Sequence, residues 1–237
     1  MTEKKGFNLN KFYSRIYRRY DLINKLFTFG LDRKWRRITI EKCLEGNPKS
    51  ILDLCTGTGD LAISLAKKIN HRTEIVGYDM NHSMLEEANK KSGKQALEGI
   101  RFVQGNAADI PFKDNYFDRI TIGFGFRNLT FSNPLEAKHI SEIYRVLKPG
   151  GRLLILESGV PRNLLVRFFY YAHLYGILIP LGGLLSGNFK AYWYLAHSSS
   201  KFYSIPEIKE LLKKYGFSVF KVRSFLLGAS NLFMVSK

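Results

Sequence analysis

The spacing of apolar residues changes several times along the chain, and each change predicts an element. Phe12, Ile16, Tyr20, Ile23 and Phe27 recur every three or four residues, the stripe of an amphipathic helix. Gly30 reads as its stop, and Asp32 as the cap of a second helix carrying Trp35 and Ile38. Short apolar runs at Ser50–Leu54, Thr73–Tyr78, Ile100–Gln104, Asp118–Ile122 and Arg152–Glu157 then predict five strands. Helical stretches Asp60–Ile69, Ser83–Lys91 (capped by Asn81) and Asn133–Leu147 fall between them, and Lys148-Pro149-Gly150-Gly151 stops the last. Strands alternating with helices mean βαβ units and a parallel sheet. Pro206–Lys214 predicts a helix ended by Gly216, and Ser218–Val222 and Leu232–Val235 predict two closing strands.

One stretch does not fit this rhythm. Residues 168–185 contain no formally charged side chain over 18 positions, the lower length limit for a membrane-spanning helix. Pro180 and three glycines within it favour a buried helix pair or the wall of an apolar pocket, with contact to a membrane surface as a third reading. The 237 residues are 45% hydrophobic and 24% charged, enough for a core and unlike a disordered chain. The net charge of +17 points to anionic partners: nucleic acid, an acidic membrane face or a charged small molecule. Residues 1–50 hold 13 Lys/Arg against 5 Asp/Glu, about half of that excess. Cys43 and Cys55 cannot form a disulfide framework, which suits a reducing compartment. The first 30 residues show no apolar signal region. No metal-ligating constellation stands out.

The chemistry concentrates in Leu52-Asp53-Leu54-Cys55-Thr56-Gly57-Thr58-Gly59-Asp60, between a predicted strand and a predicted helix. Gly57 and Gly59 allow close backbone approach to a ligand, and the helix start offers free N–H groups. Asp79, twenty residues past Gly59, ends the second strand, where an acid can accept both hydroxyls of a ribose. A third glycine of the dinucleotide pattern is missing, and Asp53 closes the strand before the turn. After the third strand comes Gly105-Asn106-Ala107-Ala108-Asp109.

These residues resemble the class I S-adenosylmethionine methyltransferases. Across nearly its whole length the chain is similar to the ubiquinone/menaquinone-biosynthesis C-methyltransferases. The likeness rests on Tyr20-Asp21-Leu22-Ile23-Asn24, on Phe29-Gly30-Leu31-Asp32-Arg33-Lys34-Trp35-Arg36-Arg37, on Pro111-Phe112 with Asn115-Tyr116-Phe117-Asp118, on Phe124-Gly125-Phe126-Arg127-Asn128, and on Ala191-Tyr192-Trp193-Tyr194-Leu195. Departures occur at Cys55 and Thr56, at His197-Ser198-Ser199, and in Gly228–Val235.

The resemblance implies a single α/β domain over 1–237, a Rossmann-like seven-stranded and mostly parallel sheet with helices on both faces. An N-terminal helical cap (1–49), a cofactor-binding core (50–160), an apolar helical insertion after the fifth strand (161–205) and a closing segment (206–237) would make it up. It implies S-adenosyl-L-methionine held by Asp53, Gly57, Thr58, Gly59, Asp79, Met80, Asn106, Ala107 and Gly123. It implies C-methylation of a polyprenylated quinol, with Asp109 as base, Arg127 as positive partner and Tyr20 beside the ring. Asn128, His173, Tyr194 and His197 are the expected acceptor contacts. Peripheral association with an anionic membrane from the cytoplasmic side, without nucleic acid and with a homodimer as one allowed assembly, completes this picture. A methyltransferase for another lipid or small molecule, an RNA methyltransferase and a non-catalytic cofactor-binding scaffold are the competing readings.

Overall fold

A computed structural model describes residues 9–69, 73–95, 97 and 99–237. Helices α1 (Leu9–Phe27) and α2 (Leu31–Leu44) precede a seven-stranded sheet. The strands are β1 (Ser50–Leu54), β2 (Glu74–Asp79), β3 (Ile100–Gln104), β4 (Phe117–Gly123), β5 (Leu147–Ser158), β6 (Ser218–Phe225) and β7 (Ser230–Ser236). Their order in the sheet is β3-β2-β1-β4-β5-β7-β6. All neighbours run parallel except β7, which is antiparallel to both β5 and β6.

Period-two alternation sends successive side chains to two separate cores. Leu52, Leu54, Val76, Tyr78, Leu153 and Ile155 pack with α5 (Phe126–Thr130), α6 (Glu136–Val146) and α10 (Ile205–Lys214). Ile51, Ile75, Leu154 and Leu156 pack with α2 and α3 (Asp60–Ala66). The helix α4 (His82–Gly93) starts at Asn81, whose side chain accepts the Met84 N–H, as its sequence position predicts. The chain reverses strand order at β1, with β2 on one side and β4 on the other, so a crevice opens at the carboxyl ends of these strands.

The stretch after β5 folds as α7 (Leu164–His173), a π-helical turn (Leu174–Leu178), α8 (Ile179–Ser186) and α9 (Phe189–Ser200). Leu174, Leu178, Tyr192 and Ala196 form a third, smaller core with Ile23 of α1. Tyr192 and Phe189 lie on Gly182 and Gly183, where a Cβ would collide with either ring, so these two glycines set how closely α8 meets α9.

Three sequence expectations change. Asp32 does not cap α2: Gly30, at φ +71°, takes that position, and Asp32 accepts the Thr28 hydroxyl at 2.8 Å from the first turn. The fifth strand begins at Leu147, which pairs with Phe117 before the glycine turn interrupts the ladder and Arg152 resumes it. The short helix α5 was not legible, since five residues give no readable period. Of the predicted α1 stripe, the side chains of Phe12, Ile16 and Tyr20 lie outside the described residues, while Ile23 is buried and Phe27 half-buried.

Candidate active site

Two cavities meet at the carboxyl ends of β1, β2 and β4. The smaller, about 190 Å³, is lined by Gly57, Asp79, Met80, Asn106, Ala107 and Gly123, all expected from sequence. Asp79 organises it. Its Oδ2 accepts the Gly57 N–H and its Oδ1 the Asn81 N–H, each at 2.9 Å. A carboxylate offers about four acceptor positions, so two remain for vicinal ribose hydroxyls. Across the cavity, Asn106 Oδ1 accepts the Ala108 N–H at 2.9 Å, which fixes the amide beside the space for a base. Asn128 Oδ1 is buried there with no hydrogen-bond partner. His139, also in the lining, donates Nδ1–H to the Leu129 carbonyl at 2.8 Å, and burial lowers its pKa, so it stays neutral. A nucleoside with hydroxyl and amino groups fits these unspent polar atoms.

The other expected cofactor residues stand behind this lining. Asp53 is buried and its two oxygens accept the hydroxyls of Thr56 (2.6 Å) and Thr121 (2.8 Å). It braces the loop instead of facing the cavity. Thr58 turns its hydroxyl to Asp21 of α1 at 2.6 Å, and Asp21 also takes the Lys91 ammonium at 2.6 Å. Gly59, at φ +79°, packs where a Cβ would come within 2.9 Å of Ala88. Cys55 adopts φ +57°, a left-handed conformation in which a glycine carries no strain.

Burial raises the Asp53 pKa to about 6, against the opposing hydrogen bonds from Thr56 and Thr121 and the charge of Arg36. A carboxyl raised on folding stabilises the fold most when protonated, below about pH 4, and that contribution disappears as pH rises through 6. Asp53→Asn is therefore expected to leave stability unchanged near pH 4 and to raise it by about 1–3 kcal/mol at pH 8. Urea denaturation at both pH values measures the difference.

The larger cavity, about 470 Å³, opens beside the first and shares Tyr13 and Phe124 with it. Its walls are mostly apolar, from α1, α7, the π turn, α9 and the β6–β7 connection, and include Phe27, Phe169, Leu178 and Leu227. At its inner end lie two arginine–carboxylate pairs. Arg127 Nε stands 4.0 Å from Glu157 Oε1, with both side chains buried, and Arg36 Nε stands 3.7 Å from Asp32 Oδ2. Glu157 accepts the Arg127 N–H at 3.1 Å and both the N–H and hydroxyl of Ser158. The Arg127 guanidinium also donates to Ser198 of α9, while its Nε is left without a hydrogen bond. The Tyr170 hydroxyl is buried nearby without a partner, its pKa raised by burial and by Glu157.

Among the expected reaction and acceptor residues, the larger cavity gathers Arg127 and His173. Burial lowers the His173 pKa, and its ring lies 5.5 Å from that of Phe29. Asp109 is not brought in. It is exposed and lines neither cavity, because the loop turns on its backbone, with its N–H on the Asn106 carbonyl and its own carbonyl on the Tyr78 hydroxyl. Asn128 lies on the cofactor side, donating to the Tyr13 hydroxyl at 3.3 Å where the cavities join. Tyr194 and His197 line neither cavity: on α9 the positions facing it are Tyr192, Leu195 and Ser199, and His197 stacks on Trp193 at 4.6 Å instead. Tyr20 lies on α1, with its side chain outside the described residues. Sequence reasoning missed Glu157, although an acid ending an apolar strand is the same signal that marked Asp79. It missed Arg36 because one inward arginine among Arg33, Lys34 and Arg37 reads as surface charge.

Comparison with known proteins shows the family and the fold. A family model described as the ubiE/COQ5 methyltransferase family matches residues 1–237. The demethylmenaquinone methyltransferase of Thermus thermophilus is 44% identical over 207 residues, covering 87% of this chain and 91% of that protein. The ubiquinone/menaquinone biosynthesis C-methyltransferase UbiE of Geotalea daltonii is 36% identical, covering 100% of this chain and 99% of its own. Among solved structures, a putative S-adenosyl-L-methionine-dependent methyltransferase from Methanococcus maripaludis superposes with a TM-score of 0.64 at 23% identity, over 100% of this chain and 97% of that one. At that identity the likeness is one of fold.

Proposed function

This chain belongs to the ubiE/COQ5 methyltransferase family and is an S-adenosylmethionine-dependent methyltransferase of quinone biosynthesis, and on that premise we propose that it methylates a ring carbon of demethylmenaquinol. The observation that carries this reading is the junction of the two cavities. A buried Arg127–Glu157 pair sits at the inner end of an apolar chamber that adjoins the nucleoside-sized one. A quinol with a long isoprenoid tail needs this combination of polar floor and apolar walls.

S-adenosylmethionine supplies an electrophilic methyl group when bound. The protein must make the ring carbon nucleophilic. Glu157 accepts the proton of the neighbouring ring hydroxyl, and Arg127 stabilises the phenolate that results. Bound S-adenosylmethionine would supply the methyl group to this carbon and become S-adenosylhomocysteine; Glu157 then returns its proton to the ring oxygen while the proton displaced from the methylated carbon passes to water. Arg127 suits its part because a guanidinium offers an oxyanion a planar fork of N–H donors. Asp32 and Glu157 are the carboxylates lining the chamber among the described residues, and the charge of Glu157 also reaches Cys55 on the cofactor side.

The mouth of the chamber suits a membrane-resident acceptor. Phe29, Phe169 and Leu226–Leu227 line it while more than half exposed, and Phe29, Leu226 and Leu227 all hold positive φ. Leu164, Leu165, Phe168 and Leu184 extend the exposed apolar surface along α7 and α8. By length and composition Leu164–Ser186 is apolar enough to cross a membrane, yet Leu174, Leu178, Gly182 and Gly183 pack on the protein. Between Glu157 and Glu207 the chain has no acidic residue, while Arg162, Arg167, Lys190 and Lys201 are basic. The surface therefore docks peripherally on anionic lipid, with roughly 1 kcal/mol for each basic residue at the interface. Sedimentation with anionic vesicles should show binding that weakens but persists as salt rises, and Phe168→Asp/Phe169→Asp should abolish the persistent part. Absence of binding at low salt would remove the docking surface. Retention after alkaline carbonate washing would mean the segment inserts.

Mass spectrometry of a host's quinones tests the acceptor assignment. Loss of this protein should leave a quinone one methyl group lighter, and an unchanged quinone profile would refute it.

A further inference from the structure

The nucleoside part of S-adenosylmethionine is matched by Asp79, Asn106 and the rest of the smaller cavity. Its amino-acid end is not. That end carries an ammonium and a carboxylate, and a carboxylate taken out of water needs a charged, hydrogen-bonding partner. Arg36 of α2 has the properties of that partner. Its side chain is only 13% exposed. Its guanidinium donates no hydrogen bond to any described residue, and its Nε is buried with its bonding capacity unused. Asp32 Oδ2, 3.7 Å from that Nε, is near enough to orient the charge and too far to bond it.

The location is specific. A Cβ placed on Gly123 would lie 3.3 Å from Arg36 Nη1, and the guanidinium carbon is 5.6 Å from the centre of the Phe124 ring. Gly123 and Phe124 line the nucleoside cavity, and Phe124 and Arg36 line the chamber beside it. Arg36 thus stands at the carboxyl end of β4, at the junction. Asp79 stands at the end of β2, and β1 with its glycine loop lies between them. Two strand spacings separate the two sites, about 10 Å. A ribose held at Asp79 with its side arm extended over Gly57 directs that arm at Arg36.

We propose that Arg36 binds the carboxylate of the amino-acid end of S-adenosylmethionine, as a forked guanidinium–carboxylate pair oriented by Asp32. Gly123 is then required for the approach of Arg36 as well as for space. The inference rests on the S-adenosylmethionine assignment and is independent of which acceptor is methylated.

Calorimetry on the full chain tests it with two ligands that share a nucleoside thioether. S-adenosylhomocysteine keeps the amino-acid end, and 5′-methylthioadenosine lacks it. Arg36→Met should weaken the first by about 30-fold, as loss of a charge-assisted hydrogen bond does, and leave the second within about twofold. Arg36→Lys should recover part of the loss. An equal loss for both ligands would make Arg36 a structural residue and overturn the proposal. No loss for either would overturn it too, and would turn Arg36 toward the acceptor. The unaltered protein gives a second reading that needs no variant. It should bind S-adenosylhomocysteine about 30-fold more tightly than the analogue whose carboxylate is a neutral carboxamide, and equal affinities would refute the assignment.

Discussion

Glu157→Gln and Arg127→Met are each expected to lower turnover by about 10²–10⁴-fold while cofactor affinity stays close to normal. Both residues lie on the chamber and neither lines the nucleoside cavity. Glutamine keeps the shape of Glu157, but its one oxygen replaces two, which accept from Ser158 and from the Arg127 backbone N–H, and it cannot take a proton from a ring hydroxyl. Removing either partner leaves a buried charge alone, which costs about 3–5 kcal/mol of stability. The double variant Glu157→Gln/Arg127→Met removes that cost, so it should be more stable than either single variant while remaining inactive. Turnover at saturating quinol, measured beside cofactor calorimetry and a urea melt, separates the two effects. Near-normal turnover in Glu157→Gln would take Glu157 out of the reaction.

Asp79→Asn should weaken S-adenosylmethionine binding by roughly 2 kcal/mol or more, about 30-fold. The carboxylate already accepts two backbone N–H groups, one from Gly57 in the glycine loop and one from Asn81 at the start of α4. An amide brings an NH₂ where one of these N–H groups points, so a donor faces a donor. The loop and the ribose contact are therefore damaged together. Calorimetry with S-adenosylhomocysteine measures this, and unchanged affinity in a folded Asp79→Asn protein would remove Asp79 from the cofactor site.

Legibility in the sequence follows how local each feature is. β1 and β3 match the predicted limits, because a short apolar run between turn residues has few alternatives. The glycine loop, its strand-end acid and the Asn81 cap depend on neighbours within about one βαβ unit, and they too were readable. Asp109 was misplaced because a loop's sequence does not say which way its side chains turn. The acceptor chamber was the least legible part. Its walls come from α1, α7, α9 and the β6–β7 connection, and long-range packing such as that of Ile23 with Leu174, Leu178 and Tyr192 brings the helices together. The same packing decides that Tyr192 faces inward and Tyr194 does not. The basic amino-terminal helices were read as one charged surface, whereas Arg36 turns in to the junction and Arg37 remains 65% exposed.

The reaction proposed for the junction of the two cavities is carbon methylation of a quinol. Incubating the protein with reduced demethylmenaquinone and S-adenosylmethionine labelled with carbon-13 in the methyl group, then recording the carbon spectrum of the recovered quinone, tests it most directly. The label is expected as an aryl methyl on the ring carbon that previously carried hydrogen. Label in a methoxy signal, or no label in the quinone while S-adenosylmethionine remains bound, would contradict it.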